Sequence, residues 1–398
     1  MKYLAVLGRQ PEISIAELEA LFSDVQQISN QLAVFSTDSQ KSRPVDIDNL
    51  GGSLKIAEKL EKKPLDFLMN LPEGKITFGL SDYSKKVTLK SVKMEALKLK
   101  KILVRHGRSV RVVENKELTL PTAVSLHNGL SGKNAKKVEL IKFNDDWFKV
   151  IGVQDIDAYT RRDQKRPARN AKVGMLPPKL AQILINLCGK LKPESCILDP
   201  FCGTGVVLQE ALLMDYHAYG TDLSERMIDY TKKNLHWLES QNLLATNMPR
   251  STKLADRERA PRKDGRASEF GAERFRLSVG DATSFKWQQP IDAVACEGYL
   301  GQPMSQIPTD IKLKEQKQEC SAIILGFLKN IVKQIKSKTP VVIAAPAWLR
   351  EDGTYFRLEI IDEIENMGYN VNNKSREGLL YCREKQIVAR DILILRKK

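Results

Sequence analysis

Short apolar runs and helical repeats alternate along the chain, and their spacing changes part-way. Tyr3–Gly8 is a short apolar stretch and predicts a strand. Ile15, Leu18, Leu21 and Phe22 then recur at helical spacing, with Ser14 and Glu17 forming a capping box at the helix start. Leu32–Thr37 predicts a second strand, and the polar stretch from Thr37 to Asn49 a loop or linker. From about Gly51 a second unit begins. Its pattern predicts a helix over Leu54–Leu60, a strand over Lys75–Leu80, a long basic helix over Leu89–His106 and a strand over Val110–Val113. A short helix around Thr122–Leu130 and strands over Lys136–Phe143 and Phe148–Gln154 close the unit, which is α+β and holds no catalytic constellation.

Asp155 to Met175 is rich in Arg, Lys, Asp and Pro and reads as a connector. Beyond it strands and helices take turns: helix Pro178–Leu191, strand Cys196–Asp199, helix Val206–Leu213, strand Ala218–Asp222, helix Ser224–Leu238. That alternation predicts a parallel, doubly wound sheet. Ala245 to Arg276 interrupts it with nine Lys/Arg, five Asp/Glu and almost no large apolar side chain, so it reads as a flexible surface insertion. The sheet resumes with Phe275–Gly280, Ile291–Cys296 and Pro340–Ala345, and an antiparallel pair near Gly378–Cys382 and Ile387–Leu395 ends it.

Composition narrows the partners. At 398 residues the chain exceeds the size at which single cores stop growing, and 42% hydrophobic residues exclude wholesale disorder. No apolar run approaches the roughly 18 residues of a membrane span. The N-terminus has too short an apolar stretch for a signal peptide, so a soluble, cytoplasmic protein is expected. Six cysteines without a C-x-x-C pair and four histidines give no credible metal-ligand spacing. Net charge is +15, and Lys85 to Arg111 holds ten basic residues against Glu95 alone. Such clustering favours a polyanion, most often nucleic acid. Lys90, Lys93, Arg105 and Arg108 in this run, with Arg161, Arg162 and Arg166 in the connector, are the candidate phosphate contacts.

The sharpest signal is ILDPFCGTG at residues 197–205. A strand runs into a carboxylate, a Gly-rich turn and a helix, the place where open α/β sheets bind ligands. A dinucleotide site would want a third glycine where Leu208 stands, and Asp199 would repel a pyrophosphate. A ligand carrying positive charge suits that carboxylate, and S-adenosylmethionine carries a sulfonium and an ammonium. Asp222, at the end of the next strand, can accept both ribose hydroxyls, and Asp281 after the third can meet the adenine amino group. Asp199, Pro200, Phe201, Gly203, Gly205, Asp222 and Asp281 are therefore the candidate cofactor residues.

These motifs resemble those of class I S-adenosylmethionine-dependent methyltransferases. With RDQKRPARNAKVGMLPPKLAQILINL before them, the chain is similar to the THUMP-containing tRNA guanosine N2-methyltransferases that act on position-10 guanosine. The resemblance implies a ferredoxin-like region (residues 1–50), a THUMP RNA-binding domain (51–154), a basic connector (155–175) and a methyltransferase domain (176–398) with the insertion at 245–276. It further implies a seven-stranded Rossmann-like sheet, S-adenosylmethionine as cofactor, tRNA as partner and no metal. The eukaryotic relatives add a small activator protein.

One departure stands out. Amino-methyltransferases of this group carry (D/N)-PP-(Y/F) after the fourth strand, and here the tetrapeptide is Glu297-Gly298-Tyr299-Leu300. An exocyclic amine is a poor nucleophile because its lone pair is delocalised into the ring. A carboxylate or amide with a backbone carbonyl accepts its two N–H bonds and turns the lone pair toward the methyl group, and an aromatic ring stacks on the extruded base. Glu297 can still accept, and Tyr299 supplies a ring one position late, as a stacking platform or as part of the core. Guanine-N2 methylation of tRNA is the leading reading; adenine-N6 methylation of DNA or other RNA, and a tRNA-binding protein without turnover, stand beside it. Cys202 and Cys296 read as packing, His106 as an incidental surface residue and Trp348 as core.

Overall fold

A computed structural model describes residues 2–37, 45–169, 176–241, 274–304, 306–383 and 386–398. The expected surface insertion falls almost wholly outside them. The chain divides into two units, Met1–Thr160 and Arg161–Lys398, so the break falls inside the expected connector. None of the described helices is long and apolar enough to cross a membrane.

The first unit is built on one eight-stranded sheet. Its strands are β1 (Lys2–Leu7), β2 (Ser23–Ser29), β3 (Leu32–Ser36), β4 (Ser53–Lys59), β5 (Ile76–Asp82), β6 (Val110–Val112), β7 (Lys137–Phe143) and β8 (Asp146–Val153), in spatial order β2-β3-β1-β4-β8-β7-β5-β6. β5 runs parallel to β6 and β7, and every other pairing is antiparallel. The division expected after residue 50 parts no sheet, because β1 hydrogen-bonds to β4 along its length. Among the described residues, helices α1 (Pro11–Leu21), α2 (Pro64–Met69), α3 (Leu89–Arg105), α4 (Thr122–His127) and α5 (Ile156–Gln164) accompany these strands, the last crossing into the second unit.

Two local expectations fail here for physical reasons. Leu54–Leu60 is expected to be helical, yet these residues form β4 between β1 and β8. Lys55, in the middle of this strand, is a buried lysine, its side chain 1% exposed. Its Nζ donates to Glu139 Oε1 at 2.6 Å, to the Ser125 hydroxyl at 3.0 Å and to the Leu120 carbonyl at 2.7 Å. Glu139 also accepts the hydroxyls of Ser81 and Ser125, both at 2.6 Å, so the buried pair is fully bonded. Ser14 and Glu17, in turn, do not cap a helix. They lie inside α1, where the Ser14 hydroxyl donates to the Gly52 carbonyl and Glu17 accepts the Gly51 and Gly52 N–H groups at 2.9 and 2.8 Å. Their work is to fix the chain's entry into β4. The long basic helix does begin on a capping box, Thr88 with Ser91.

The second unit is the expected α/β sheet. Its main path runs β11 (Phe275–Val279), β10 (His217–Asp222), β9 (Cys196–Asp199), β12 (Ala293–Glu297), β13 (Pro340–Leu349), β17 (Val388–Lys397) and β15 (Tyr369–Val371). The first five are parallel, and β17 is antiparallel to both β13 and β15. Two short strands, β14 (Tyr355–Phe356) and β16 (Leu380–Tyr381), add to β13 and β17. The seven-strand main path of this nine-stranded sheet is Rossmann-like, and its strand order reverses between β9 and β12. Helices α6 (Pro178–Leu187), α7 (Val206–Leu213), α8 (Glu225–Ser240), α9 (Asp310–Ile331), α10 (Ile361–Asn366) and α11 (Asn373–Glu377) complete the unit. Val294, Cys296, Val341 and Ile343 of the sheet and Ile324, Phe327 and Ile331 of α9 share one core with fully buried Trp348. A sheet covered on both faces explains why its central strands read as continuous apolar runs.

Candidate active site

Ile197 and Leu198 are fully buried and pin β9 at the centre of the sheet, which brings Asp199 to its carboxyl end, 2% exposed. Asp199 Oδ1 accepts the Phe201 N–H at 3.1 Å. Burial raises its carboxyl well above the usual range, against the pull of that bond, and the charges of Asp222 and Glu297 raise it further. Pro200 and Phe201 are tied into the scaffold. The Pro200 carbonyl accepts the Thr221 hydroxyl at 3.3 Å, and the Phe201 ring meets Phe327 edge-on at 5.5 Å.

Gly203 and Gly205 adopt left-handed backbone, φ 52° and 81°. A Cβ on Gly205 would lie 2.7 Å from Thr231 Cγ2, so helix packing demands glycine there. A Cβ on Gly203 would meet only the Phe201 carbonyl oxygen, at 3.9 Å, which leaves its face open to a ligand. Asp222 Oδ2 accepts the Gly203 N–H at 3.0 Å and Oδ1 the Ser224 N–H at 2.8 Å, and burial raises its carboxyl. Asp281 follows β11 and is exposed; its Oδ1 takes the Thr283 N–H and hydroxyl at 2.8 and 2.7 Å, which lower its pKa. The Gly280 N–H donates to the Asp222 carbonyl at 2.9 Å, tying these two strand ends together.

The tetrapeptide lies at the carboxyl end of β12. Glu297 is largely buried, and its Oε1 accepts from Arg390 Nε of β17 at 2.8 Å. Burial raises its carboxyl, and Arg390 opposes that. The Gly298 N–H donates to the Ala344 carbonyl at 3.0 Å. Tyr299 donates its hydroxyl to Glu319 at 3.1 Å while its ring packs against the core. Leu300 is half-buried. Gly301 (φ 80°) lets Gln316 Oε1 accept the Gln302 N–H at 2.7 Å, so α9 holds the turn that follows.

Several residues that the motifs did not flag complete the site. From α8, the Thr231 hydroxyl donates to the Gly203 carbonyl at 2.8 Å, and Asn234 Nδ2 donates to the Thr204 carbonyl at 2.9 Å. Neither has a local signal, since both sit in the middle of an ordinary amphipathic helix. Leu223, directly after Asp222, is 75% exposed and sets an apolar face beside the carboxylate. Arg390 reaches Glu297 only through the antiparallel β13–β17 pairing. Cys202 and Cys296 are buried with thiols raised by that burial, which agrees with packing roles. His106 is exposed, its Nδ1 2.9 Å from the Ile102 carbonyl oxygen. Among the described residues no group of three or more His, Cys, Asp or Glu could hold a metal ion.

The basic candidates divide. Lys90, Arg105 and Arg161 are exposed. Lys93 pairs with Glu114 at 3.0 Å. Three arginines do not stand as open phosphate contacts. Arg108 donates to the carbonyls of Met69, Leu71 and Pro72, and Arg162 forms a two-pronged pair with buried Glu210 at 2.7 and 3.2 Å. Arg166 is buried.

Residues 165–263 match the family model for the RMKL-like methyltransferase domain, UPF0020. This stretch begins in the connector and includes the Gly-rich turn and Asp222. Three archaeal proteins named tRNA (guanine(10)-N2)-dimethyltransferase are similar to parts of the chain. That of Methanothermobacter thermautotrophicus is 48% identical over 62 residues, covering 16% of this chain and 18% of its own. That of Methanocaldococcus jannaschii is 44% identical over 95 residues, 24% and 26% of the two chains. That of Pyrococcus abyssi is 29% identical over 135 residues, 34% and 27%. The chain therefore spans about a fifth to a quarter of the length of these relatives.

Proposed function

We propose that the chain methylates an exocyclic amine of tRNA, guanine N2, with S-adenosylmethionine as methyl donor and the second unit as the catalytic one. The observation that carries this reading is the convergence of Asp199, the open Gly203 backbone and Asp222 at the strand-order reversal of the sheet. The donor set suits the cofactor. Asp199, its carboxyl raised by burial, gains most from a cation beside it. Each Asp222 oxygen already accepts one N–H and has lone-pair capacity for a ribose hydroxyl. Asp281 faces the adenine amino group in this reading, and Leu223 offers the base an apolar surface. When bound, the cofactor supplies an electrophilic methyl group on a sulfonium, and attack by an amine then needs no covalent enzyme intermediate.

Glu297 and the Gly298 carbonyl orient the amine. With Arg390 on Oε1, Glu297 receives one amine hydrogen through Oε2, and the Gly298 carbonyl receives the other. Arg390 thereby fixes the carboxylate's orientation, a task that proline performs on the backbone of the usual tetrapeptide. Tyr299 provides the ring on which the extruded base stacks. The first unit grips the tRNA by phosphate and shape, through Lys90, Arg105 and neighbouring lysines, as the THUMP region of the resemblance does. Guanine N2 at position 10 and double methylation follow the names of the relatives. A cytoplasmic setting follows from tRNA as substrate.

The Glu297–Arg390 pair also favours a second reading, a tRNA-binding protein whose acid is committed to its arginine. Methyl transfer from labelled S-adenosylmethionine to unmodified bulk tRNA, followed by nucleoside analysis, separates the two. Labelled N2-methylguanosine supports the proposal, and labelled N6-methyladenosine moves the activity to another base. No label with cofactor and tRNA both bound, even with the small activator subunit of the eukaryotic relatives added, supports the binding protein.

A further inference from the structure

Arg166 is 3% exposed, and its Nε, Nη1 and Nη2 have no hydrogen-bond partner among the described residues. A buried guanidinium with all three nitrogens unsatisfied is among the least favourable arrangements a side chain can take. The fold holds it there on both sides. Four residues earlier, Arg162 is clamped to Glu210 of α7. Two residues later, Ala168 exchanges a pair of bonds with Asn234 of α8: its N–H donates to Oδ1 and its carbonyl accepts from Nδ2, both at 2.9 Å. The same Nδ2 donates to the Thr204 carbonyl between the two glycines of the turn. One side chain thus ties the segment carrying Arg166 to the cofactor turn, and Pro167 restricts the backbone of Arg166 itself. The charges of Asp163 and Arg169 act on it in opposite senses, and burial outweighs both in lowering the guanidinium's hold on its proton.

We propose that Arg166 is the receptor for the terminal α-carboxylate of the methionine arm of S-adenosylmethionine, a role that rests on the cofactor reading above. The guanidinium fork matches a carboxylate with two parallel N–H···O bonds. The cofactor's arm is zwitterionic, and the turn provides only carboxylates for its positive groups. Arg166 supplies the missing opposite charge on a segment bonded to that turn. A phosphodiester of RNA carries bulky neighbours on both sides and meets the protein from outside, so a 3% exposed side chain suits it poorly. A carboxylate at the tip of a short, unbranched-stem aminoalkyl arm is slender enough to enter.

Calorimetric titration of the full chain tests this with two ligands, S-adenosylhomocysteine and its decarboxylated analogue. Wild type is expected to prefer the carboxylate-bearing ligand roughly ten- to a hundred-fold. Arg166→Met abolishes that preference and leaves affinity for the decarboxylated analogue unchanged. Arg166→Lys, which keeps the charge and loses the fork, retains part of it. The melting temperature of ligand-free R166M should stay level or rise, because an unpaired buried ion has been removed. Equal weakening of both ligands, or no change in either, overturns the assignment while leaving the cofactor reading intact. Weaker tRNA binding by R166M with the ligand preference preserved would reassign the residue to RNA phosphate. Wild type that binds neither ligand defeats the cofactor reading and this inference with it.

Discussion

The sheet of the first unit and the carboxyl edge of the second unit's sheet bury charge in opposite ways. In the first, Lys55 of β4 and Glu139 of β7 meet across the intervening β8, and two serine hydroxyls and a backbone carbonyl complete their bonding. In the second, Asp199 accepts one backbone N–H, Glu297 shares one arginine, and Arg166 is bonded to nothing described. A fully satisfied pair is structural: its local field is cancelled and it offers a ligand nothing. Under-compensated buried charges carry unfavourable energy that a complementary ligand can relieve, which is why perturbed groups gather at functional sites.

The contrast breaks most plainly if one member of the satisfied pair is removed. Lys55→Met leaves Glu139 buried and unpaired, and should destabilise the first unit by about 3–5 kcal/mol. Urea denaturation followed by circular dichroism reads it, and the double variant K55M/E139L should recover most of the loss. In the second unit, Glu297→Ala should lower methyl transfer by roughly a hundred-fold or more while leaving the dissociation constant of S-adenosylhomocysteine unchanged. An unaltered rate removes Glu297 from the reaction.

Asp199→Asn sharpens the comparison from the other side. It should weaken cofactor binding by roughly ten- to a hundred-fold and yet raise the melting temperature, by about 2–4 °C for each kcal/mol of relieved desolvation. Titration calorimetry and differential scanning calorimetry on one preparation show both. A fall in melting temperature would mean that Asp199 is as well satisfied as Glu139. The pH dependence has a fixed sign. The folded state holds the Asp199 proton more tightly than the unfolded chain does, so this residue favours folding at low pH. That contribution is lost as pH rises through the raised value, and D199N should lack the decline. Cofactor affinity runs the opposite way, falling as pH drops through the same range, because the cation needs the carboxylate. The smallest effect belongs to the exposed basic residues. Lys90→Glu or Arg105→Glu should weaken tRNA binding severalfold, lower its salt dependence by about one unit of slope and leave cofactor binding alone.

Much of the second unit was legible because parallel strands buried on both faces announce themselves as apolar runs, and β9 and α7 lie within the predicted bounds. The positions of Asp199 and Asp222 at strand ends were legible because each closes such a run, whereas Asp281 follows the half-buried edge strand β11. The first unit was harder. β2 is a polar strand on the sheet's edge, and β4 hides behind a lysine whose partner lies more than eighty residues away. The fates of the basic residues were invisible for the same reason. Whether an arginine meets solvent, as Arg161 does, or a buried glutamate, as Arg162 does, is decided by a distant helix. Local spacing carries no trace of Arg390 beside Glu297 or of Asn234 beside Ala168, since both contacts are made by chain closure.

The placement of β4 also bears on how the chain is made. β1 and β3 flank one another early in synthesis, and β4 can join them as soon as it leaves the ribosome. Its other edge must wait for β8, which emerges about ninety residues later. At roughly 5–20 residues per second this leaves a row of unpaired amides open for roughly 5–20 s, with Lys55 still lacking Glu139. An unneutralised lysine on a nascent strand edge discourages pairing with neighbouring chains. Before it closes, the ion pair that later anchors the sheet is half of a guard against aggregation on the polysome.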